Sequence, residues 1–280
     1  MHELHPLQID GLISRALEED WGYGDWTTDL CVAKTSTADA QIIAKESILV
    51  CGLDVARAVF AKVDPSLVVT IEAETGSKVQ AGTTLLRISG RSRSILKAER
   101  VALNLLGRMC GIATITRQYV DQLEGAKAQL LDTRKTTPGL RILEKLATST
   151  GGARNHRFGL CDGVLVKENH IRAAGSISKA LGRLHESLPP TLKIEVETTN
   201  LEEVQEALSA GADIIMLDNM SVDMMAQAVR LVDGRALVEA SGNVKLDTVK
   251  KIAGCGVDFI STGAIIHSAR WSDLSLLFET

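Results

Sequence analysis

Apolar residues recur along this chain in two rhythms. Near the N-terminus Ile9, Leu12, Ile13, Ala16 and Leu17 follow the i, i+3, i+4 spacing of one buried helix face, and the pattern stops at the turn Trp21-Gly-Tyr-Gly-Asp25. Between Ala38 and Ser89 the texture changes to short Val/Ile/Leu-rich runs punctuated by Gly and Pro, which predict strands, with a helix near Leu53–Lys62 among them. From about Ile95 a long helical pattern runs through LKAERVALNLLGRMCGIATITRQYVDQL. After Gly125 six short apolar runs (AQLL, GVLV, KIEV, DIIML, ALVE and DFIS) start near positions 129, 163, 193, 213, 236 and 258. Helical segments at Leu140–Thr148, Ile177–Ser187, Leu201–Ala210, Val222–Val232 and Leu246–Ala253 lie between them. Alternation at that pitch predicts βα units and a parallel sheet covered on both faces. The fold class is therefore α/β, and an incomplete (β/α) barrel with parallel strands is favoured over an open doubly wound sheet.

Composition narrows the function classes. Of 280 residues, 45% are hydrophobic and 24% charged, which excludes a disordered chain. The 31 Lys and Arg against 35 Asp and Glu leave a net charge of −4, so nothing draws the chain to nucleic acid or to an anionic membrane. An anionic ligand must then be held by a local cluster of cations. The longest stretch free of Asp, Glu, Lys and Arg, Phe259 to Ala269, has 11 residues, short of the roughly 18 that a membrane span needs. The opening MHELHPLQIDGL carries an early acid and no Lys or Arg before Arg15, unlike a signal peptide, and its HELH has the wrong spacing for a zincin and reads as a tail. Five widely spaced cysteines with no C-x-x-C suit a reduced cytoplasmic protein.

In a (β/α) barrel the chemistry gathers at the carboxyl ends of the strands, and here those ends are polar. They read in turn LLDTRKTTPG with Arg134 and Lys135, VLVKENH with Lys167, Asn169 and His170, EVE ending in Glu197, LDN with Asp218 and Asn219, EASGN, and STGA. GGARNHRFG, between the first two, adds Arg154, His156 and Arg157. Any one of these has an ordinary explanation: a solvated Lys, a structural His, a carboxylate such as Glu195 pairing across the barrel, a turn at Ser-Gly-Asn. Six polar strand ends in succession do not, because inward charges are costly unless something satisfies them. The early ends are cationic, the middle ones acidic, and the last two neutral and glycine-bearing. Arg grips carboxylates bidentately, Glu197 and Asp218 are hard donors for ribose hydroxyls or Mg²⁺, and Gly-rich loops offer N–H groups to phosphate. A phosphorylated sugar beside a small dianionic acid is the ligand pair implied.

Taken in order, DTRKTTPGLR, GGARNHRFGL, KENHI, EVE, LDNM, EASGN and STGAI resemble the quinolinate phosphoribosyltransferase family, and the likeness extends from GDWTTD through ERVALNLL and CGIATIT to DLSL. The resemblance implies an N-terminal α/β sandwich over 1–112, a barrel over 113–268, and a C-terminal segment 269–280 packing back on the first domain. It implies transfer of phosphoribosyl from phosphoribosyl pyrophosphate to quinolinate with decarboxylation, with Mg²⁺ as cofactor. It also implies a homodimer with shared active sites, or a larger assembly of such dimers. Arg100 would reach quinolinate across the interface, while Thr133, Arg134, Lys135, His156, Arg157 and Lys167 would line the diacid pocket. Glu197 and Asp218 would face the ribose with the Mg²⁺ near them, and Ser241, Gly242, Asn243, Thr262, Gly263 and Ala264 would hold the 5′-phosphate. Lys135, Lys167, Glu197 and Asp218 are the catalytic candidates. Ala153, Arg154, Asn243 and Ile266 depart from the family pattern and bear on loop geometry.

Rival readings remain open to experiment. A relative using nicotinate would need fewer cations, and a paralogue associated with molybdenum would share the fold. A Schiff-base aldolase would use Lys167, whose pKa the neighbouring Glu168 opposes lowering; borohydride trapping separates it. A non-catalytic phosphosugar-binding protein would have lost a charged site residue, and none is missing.

Overall fold

The computed structural model describes residues 5–279, so His2–Leu4 of the HELH segment and Thr280 lie outside the described residues. His5 is no tail: its Nδ1 accepts the Leu7 N–H at 3.2 Å and caps the first helix. The chain divides into two compact units, one of residues 1–117, 137–151 and 268–280, the other of 118–136 and 152–267.

The first unit holds α1 (Pro6–Trp21), α2 (Trp26–Cys31), β1 (Thr37–Ala44), β2 (Ile48–Leu49), α3 (Leu53–Val63), β3 (Val68–Ile71), β4 (Lys78–Val79), β5 (Thr84–Arg91) and most of α4 (Ser92–Asp121). Helix α1 buries Ile9, Leu12, Ile13 and Leu17, the face its spacing predicts. β1 and β5 pair antiparallel, with Ala40 opposite Ile88 and Ile42 opposite Leu86. The register then skips Leu85, and that extra residue lets Leu85 and Leu86 both face apolar surroundings. The C-terminal strand, Leu274–Phe278, pairs with the other edge of β1, giving a four-stranded antiparallel sheet. The segment leading to it crosses α4 at Gly107 and Gly111, one turn apart; the Ser272 N–H donates to Gly107 O at 3.0 Å, and a Cβ at Gly111 would collide with Arg270 O. Segment 137–151, which carries α5 (Arg141–Thr150), also belongs to this unit, held by a buried Arg108–Glu144 ion pair at 2.8 Å. All five cysteines are free thiols; burial pushes Cys51 up to about 11 and Cys110 up to about 12.

The second unit is the barrel: β6 (Gln129–Leu131), β7 (Val164–Val166), α6 (Glu168–Ala174), α7 (Ile177–Ser187), β8 (Ile194–Thr198), α8 (Leu201–Ser209), β9 (Ile214–Asp218), α9 (Val222–Val232), β10 (Leu237–Ser241), α10 (Val249–Ala253), β11 (Phe259–Ser261) and α11 (Ala264–His267). With the C-terminal strand, β12, the chain has twelve strands among the described residues. The parallel sheet runs β6-β11-β10-β9-β8-β7. From β7 to β11 each strand lies beside its predecessor and β6 returns beside β11, so the order never reverses as a doubly wound sheet requires; successive right-handed crossovers curl such a sheet round. β6 and β7 do not pair; Arg154 bridges to β6, its N–H donating to Leu130 O at 2.8 Å and its carbonyl accepting the Asp132 N–H at 3.2 Å. Helices start where the sequence offers caps: Ser176, Asn200 and Ser221 accept N–H groups from α7, α8 and α9. At the amino ends of the strands Asp213 and Asp258 accept the N–H groups of Ile194 at 2.7 Å and Val238 at 2.9 Å, tying strands together at the end remote from the polar loops.

Candidate active site

Cations arrive first along the chain. β6 runs directly into Thr133, Arg134 and Lys135, where the Thr133 hydroxyl accepts the Lys135 N–H at 3.1 Å. Arg134 is half-buried, and its Nε is buried with no hydrogen-bond partner. Lys135 is exposed and its stem lies against Gly263, where an added Cβ would stand 3.0 Å from Lys135 Cδ; this brings the first strand end to the last. Lys167 follows β7, and its Nζ stands 3.7 Å from Glu197 Oε2. His170 serves the backbone instead, accepting the Lys167 N–H on Nδ1 at 3.0 Å.

Asp132, fully buried, organises the Asn155–Arg157 turn: it accepts the His156 N–H at 2.8 Å and Asn155 Nδ2 at 2.7 Å. Arg157 donates to Gly163 O at 2.9 Å. Burial, and then the like charge of Arg134 beside it, hold the Arg157 guanidinium below its ordinary value. Glu195 and Asp162 act on Arg157 in the opposite sense, while the buried Arg134 Nε has no partner and is a donor that an anionic ligand could meet.

The acids and neutral loops follow. Glu197 is the next-to-last residue of β8 and Asp218 closes β9, the latter accepting Asn219 Nδ2 at 2.9 Å. Asn219 in turn accepts Asn243 Nδ2 at 2.9 Å. Gly242 (φ 86°) and Asn243 (φ 50°) are both left-handed, and a Cβ at 242 would collide with Asn219 Oδ1. The departure at position 243 thus has a reason: after Gly, Asn is a residue that tolerates this backbone. In the last loop the Thr262 hydroxyl accepts the Ala264 N–H at 3.2 Å, and Gly263 packs against His267. Ser241 to Asn243 and Thr262 to Ala264 therefore form two short neutral loops at adjacent strand ends. Glu197 and Asp218 fit Mg²⁺, which binds through one or two carboxylates and completes its shell on substrate phosphates. They are only two hard donors and make no closed protein cage.

Deeper in the barrel lie two acids that sequence reasoning left outside the site set. Glu195 and Glu239 cluster with the His156 ring. Burial, then the charge of Glu195 beside it, hold the Glu239 carboxyl well above the usual carboxylate range. The available signal was a single acid inside each apolar strand, KIEV and ALVE. Asp132 was missed in the same way, hidden at the front of the DTRK motif. Arg100 lies exposed on α4 in the first unit.

Comparison with known proteins gives this arrangement a family. The C-terminal domain model of quinolinate phosphoribosyl transferase matches residues 112–277 and the N-terminal domain model matches 25–110. The chain is 49% identical over 271 residues to the probable carboxylating nicotinate-nucleotide pyrophosphorylase of Synechocystis, covering 96% of this chain and 92% of that one. Among solved structures it is similar to NadC from Streptococcus pyogenes (TM-score 0.95, 38% identity, 100% of each chain). It is also similar to the nicotinate-nucleotide pyrophosphorylase from Francisella tularensis (TM-score 0.94, 40% identity, 99% of this chain and 98% of that one). The fold and strand ends define an α/β-barrel transferase with cations at its first strand ends and carboxylates at the next ones. The chain belongs to the quinolinate phosphoribosyl transferase family.

Proposed function

We propose that this protein transfers the phosphoribosyl group of phosphoribosyl pyrophosphate to quinolinate and releases CO₂, giving nicotinate mononucleotide and pyrophosphate in NAD biosynthesis. The single observation that carries the reading is the crowding of Arg134 and Arg157, with the Arg134 Nε buried and unpartnered. A planar acid with two adjacent carboxylates would give the buried Arg134 Nε a partner and meet the Arg157 guanidinium beside it, to whose charge Glu195 and Asp162 also contribute. The carboxylating pyrophosphorylase of Synechocystis supports the same reaction.

In the reaction the pyridine nitrogen bonds to the ribose anomeric carbon as the bond to pyrophosphate breaks. Positive charge then develops on the ribose, and Glu197 and Asp218 at neighbouring strand ends stabilise it. Lys135 and Lys167 hold negative substrate groups in line, and the ion pair to Glu197 positions Lys167. The two neutral loops receive the 5′-phosphate through main-chain N–H groups. Glu197 and Asp218 are the residues that would hold Mg²⁺ together with the substrate, and the ion would supply neutralisation of the negative charge on the departing pyrophosphate. The ring nitrogen, now cationic, accepts the electron pair freed when the 2-carboxylate leaves as CO₂, and a proton from solvent replaces it on the ring carbon. No covalent nucleophile on the protein is required.

The assembly belongs to the same proposal: a cytoplasmic homodimer in which Arg100 of one subunit serves the other's pocket. Among the described residues no helix is long and apolar enough to cross a membrane. Mixing Arg100→Ala with Lys167→Ala subunits should restore part of the activity each lacks alone; no rescue after subunit exchange counts against a shared site. The principal experiment is a Mg²⁺-containing assay with phosphoribosyl pyrophosphate, offering quinolinate and nicotinate in parallel and following nicotinate mononucleotide and labelled CO₂. Product and CO₂ from quinolinate alone are expected. Product from nicotinate alone would remove the diacid pocket.

A further inference from the structure

The reaction as described uses neither of the acids inside the barrel. Glu195 is 4% exposed and Glu239 1% exposed, and each leaves its Oε1 buried without a hydrogen-bond partner. Both face the His156 ring: Nε2 stands 3.0 Å from Glu195 Oε2 and 3.9 Å from Glu239 Oε2. The opposite nitrogen is also engaged, because Nδ1 accepts the main-chain N–H of Arg157 at 2.7 Å. A ring nitrogen that accepts a hydrogen bond carries no proton, so the ring proton sits on Nε2 and points at Glu195. His156 is thus a strut between the barrel interior and the Arg157 backbone. Its own main chain is anchored on Asp132 at 2.8 Å.

We propose that Glu239 is a positioning residue for the diacid: packed with Glu195 against the His156 ring, it fixes that ring, and through it the Arg157 main chain, so that the Arg157 guanidinium stands ready for a carboxylate neither acid touches. The proposal rests on the assignment of Arg157 to the diacid pocket. The raised Glu239 carboxyl supports the packing, since a protonated acid lies beside Glu195 without like-charge repulsion. It also explains how one apolar strand carries a buried acid with no cation of its own.

The test varies the two substrates separately. Glu239→Ala should raise the quinolinate KM about tenfold or more, the loss of a well-placed charged hydrogen bond, and leave the phosphoribosyl pyrophosphate KM within about twofold. Glu239→Gln, which keeps shape and polarity, should retain both constants. An equal rise in both constants, or no change for alanine, overturns the proposal. Because the alanine variant leaves a cavity among polar groups and can fail to fold, a second measurement uses the unaltered protein. Nitrogen-15 histidine spectra, with the His156 signal assigned by its loss in His156→Asn, should show Nδ1 unprotonated and Nε2 protonated. A protonated Nδ1, or a metal ion bound stoichiometrically at the ring, overturns the relay. That spectrum needs no turnover, so a chain that makes no nicotinate mononucleotide would sink the proposed function and leave the strut to be judged by itself.

Discussion

Two pairs of acids in one barrel have opposite fates. Glu195 and Glu197 sit two residues apart on β8, on the same face of the strand and about 6–7 Å apart along it. Glu197 stands at the mouth, half-buried, with Lys167 at 3.7 Å. Glu195 stands one step deeper, buried, with the His156 ring at 3.0 Å. β10 repeats the arrangement with Glu239 below and Ser241 at the rim. On β8 residue type and facing direction are shared, so depth divides the roles of its two acids. At the mouth a carboxylate keeps its charge and has a cation and solvent to share it; inside, it must find a proton or a fixed donor. The rim does the chemistry and the interior holds the rim in place.

The sharpest way to break this division is to neutralise the rim. Glu197→Gln should lower kcat by about 10²–10³-fold, the usual loss when a group facing transition-state charge is removed, while stability changes by less than about 1 kcal/mol because the pair with Lys167 is solvent-screened. Steady-state rates and a melting curve together check it. Lost stability with retained rate would reverse the assignment of rim and interior. Next in size, Arg157→Ala should raise the quinolinate KM by roughly 10–100-fold, the cost of one charge-assisted contact, and move the phosphoribosyl pyrophosphate KM far less. Equal losses for both substrates would contradict the pocket.

The barrel's depth was only half legible in the sequence. Each of the six strands and the alternation that makes them parallel could be read from apolar runs, because a strand buried on both faces is apolar throughout. Rim residues were legible for the opposite reason: a charge just past an apolar run announces a strand end. Glu239 was not, since one acid within ALVEAS reads the same whether it pairs, binds or carries a proton, and only the fold brings it to His156. Asp132 escaped because its partners, the His156 main-chain N–H and the Asn155 amide, lie more than twenty positions away and only the fold brings them to it. Segment 137–151 falls inside the 113–268 barrel that the resemblance implies, yet it groups with the first unit; its packing on α4 rests on the Arg108–Glu144 pair, two residues 36 positions apart whose meeting no local pattern foretells.

The interior acid also predicts a pH effect on stability. Glu239 has a folded-state pKa above its unfolded value of about 4.3. The folded protein therefore keeps a proton that the unfolded chain has lost, and stability present below the ordinary carboxylate range declines as pH rises through it toward the raised value. Glutamine cannot ionise, so Glu239→Gln should escape this decline. Its melting temperature relative to the unaltered protein should climb as pH rises from the ordinary carboxylate range toward the raised value. A constant offset across that window would place Glu239 with the rim acids as an ordinary carboxylate.

The smallest effect is expected where the rim is built from backbone instead of charge. Asn243 holds φ 50° and lends its amide to Asn219 at 2.9 Å. Asn243→Gly relieves the left-handed backbone and gives up that hydrogen bond, two terms of about 1 kcal/mol each with opposite signs. Stability should therefore stay within about 1 kcal/mol, and the phosphoribosyl pyrophosphate KM within roughly threefold, since the loop's N–H groups survive. Asn243→Ala loses the hydrogen bond and keeps the strain, so it should be destabilised by about 1–2 kcal/mol. Denaturant titrations of the two variants separate these terms. If glycine proves as damaging as alanine, the Asn219–Asn243 hydrogen bond outweighs the backbone, and side chains as well as main chain shape this part of the rim.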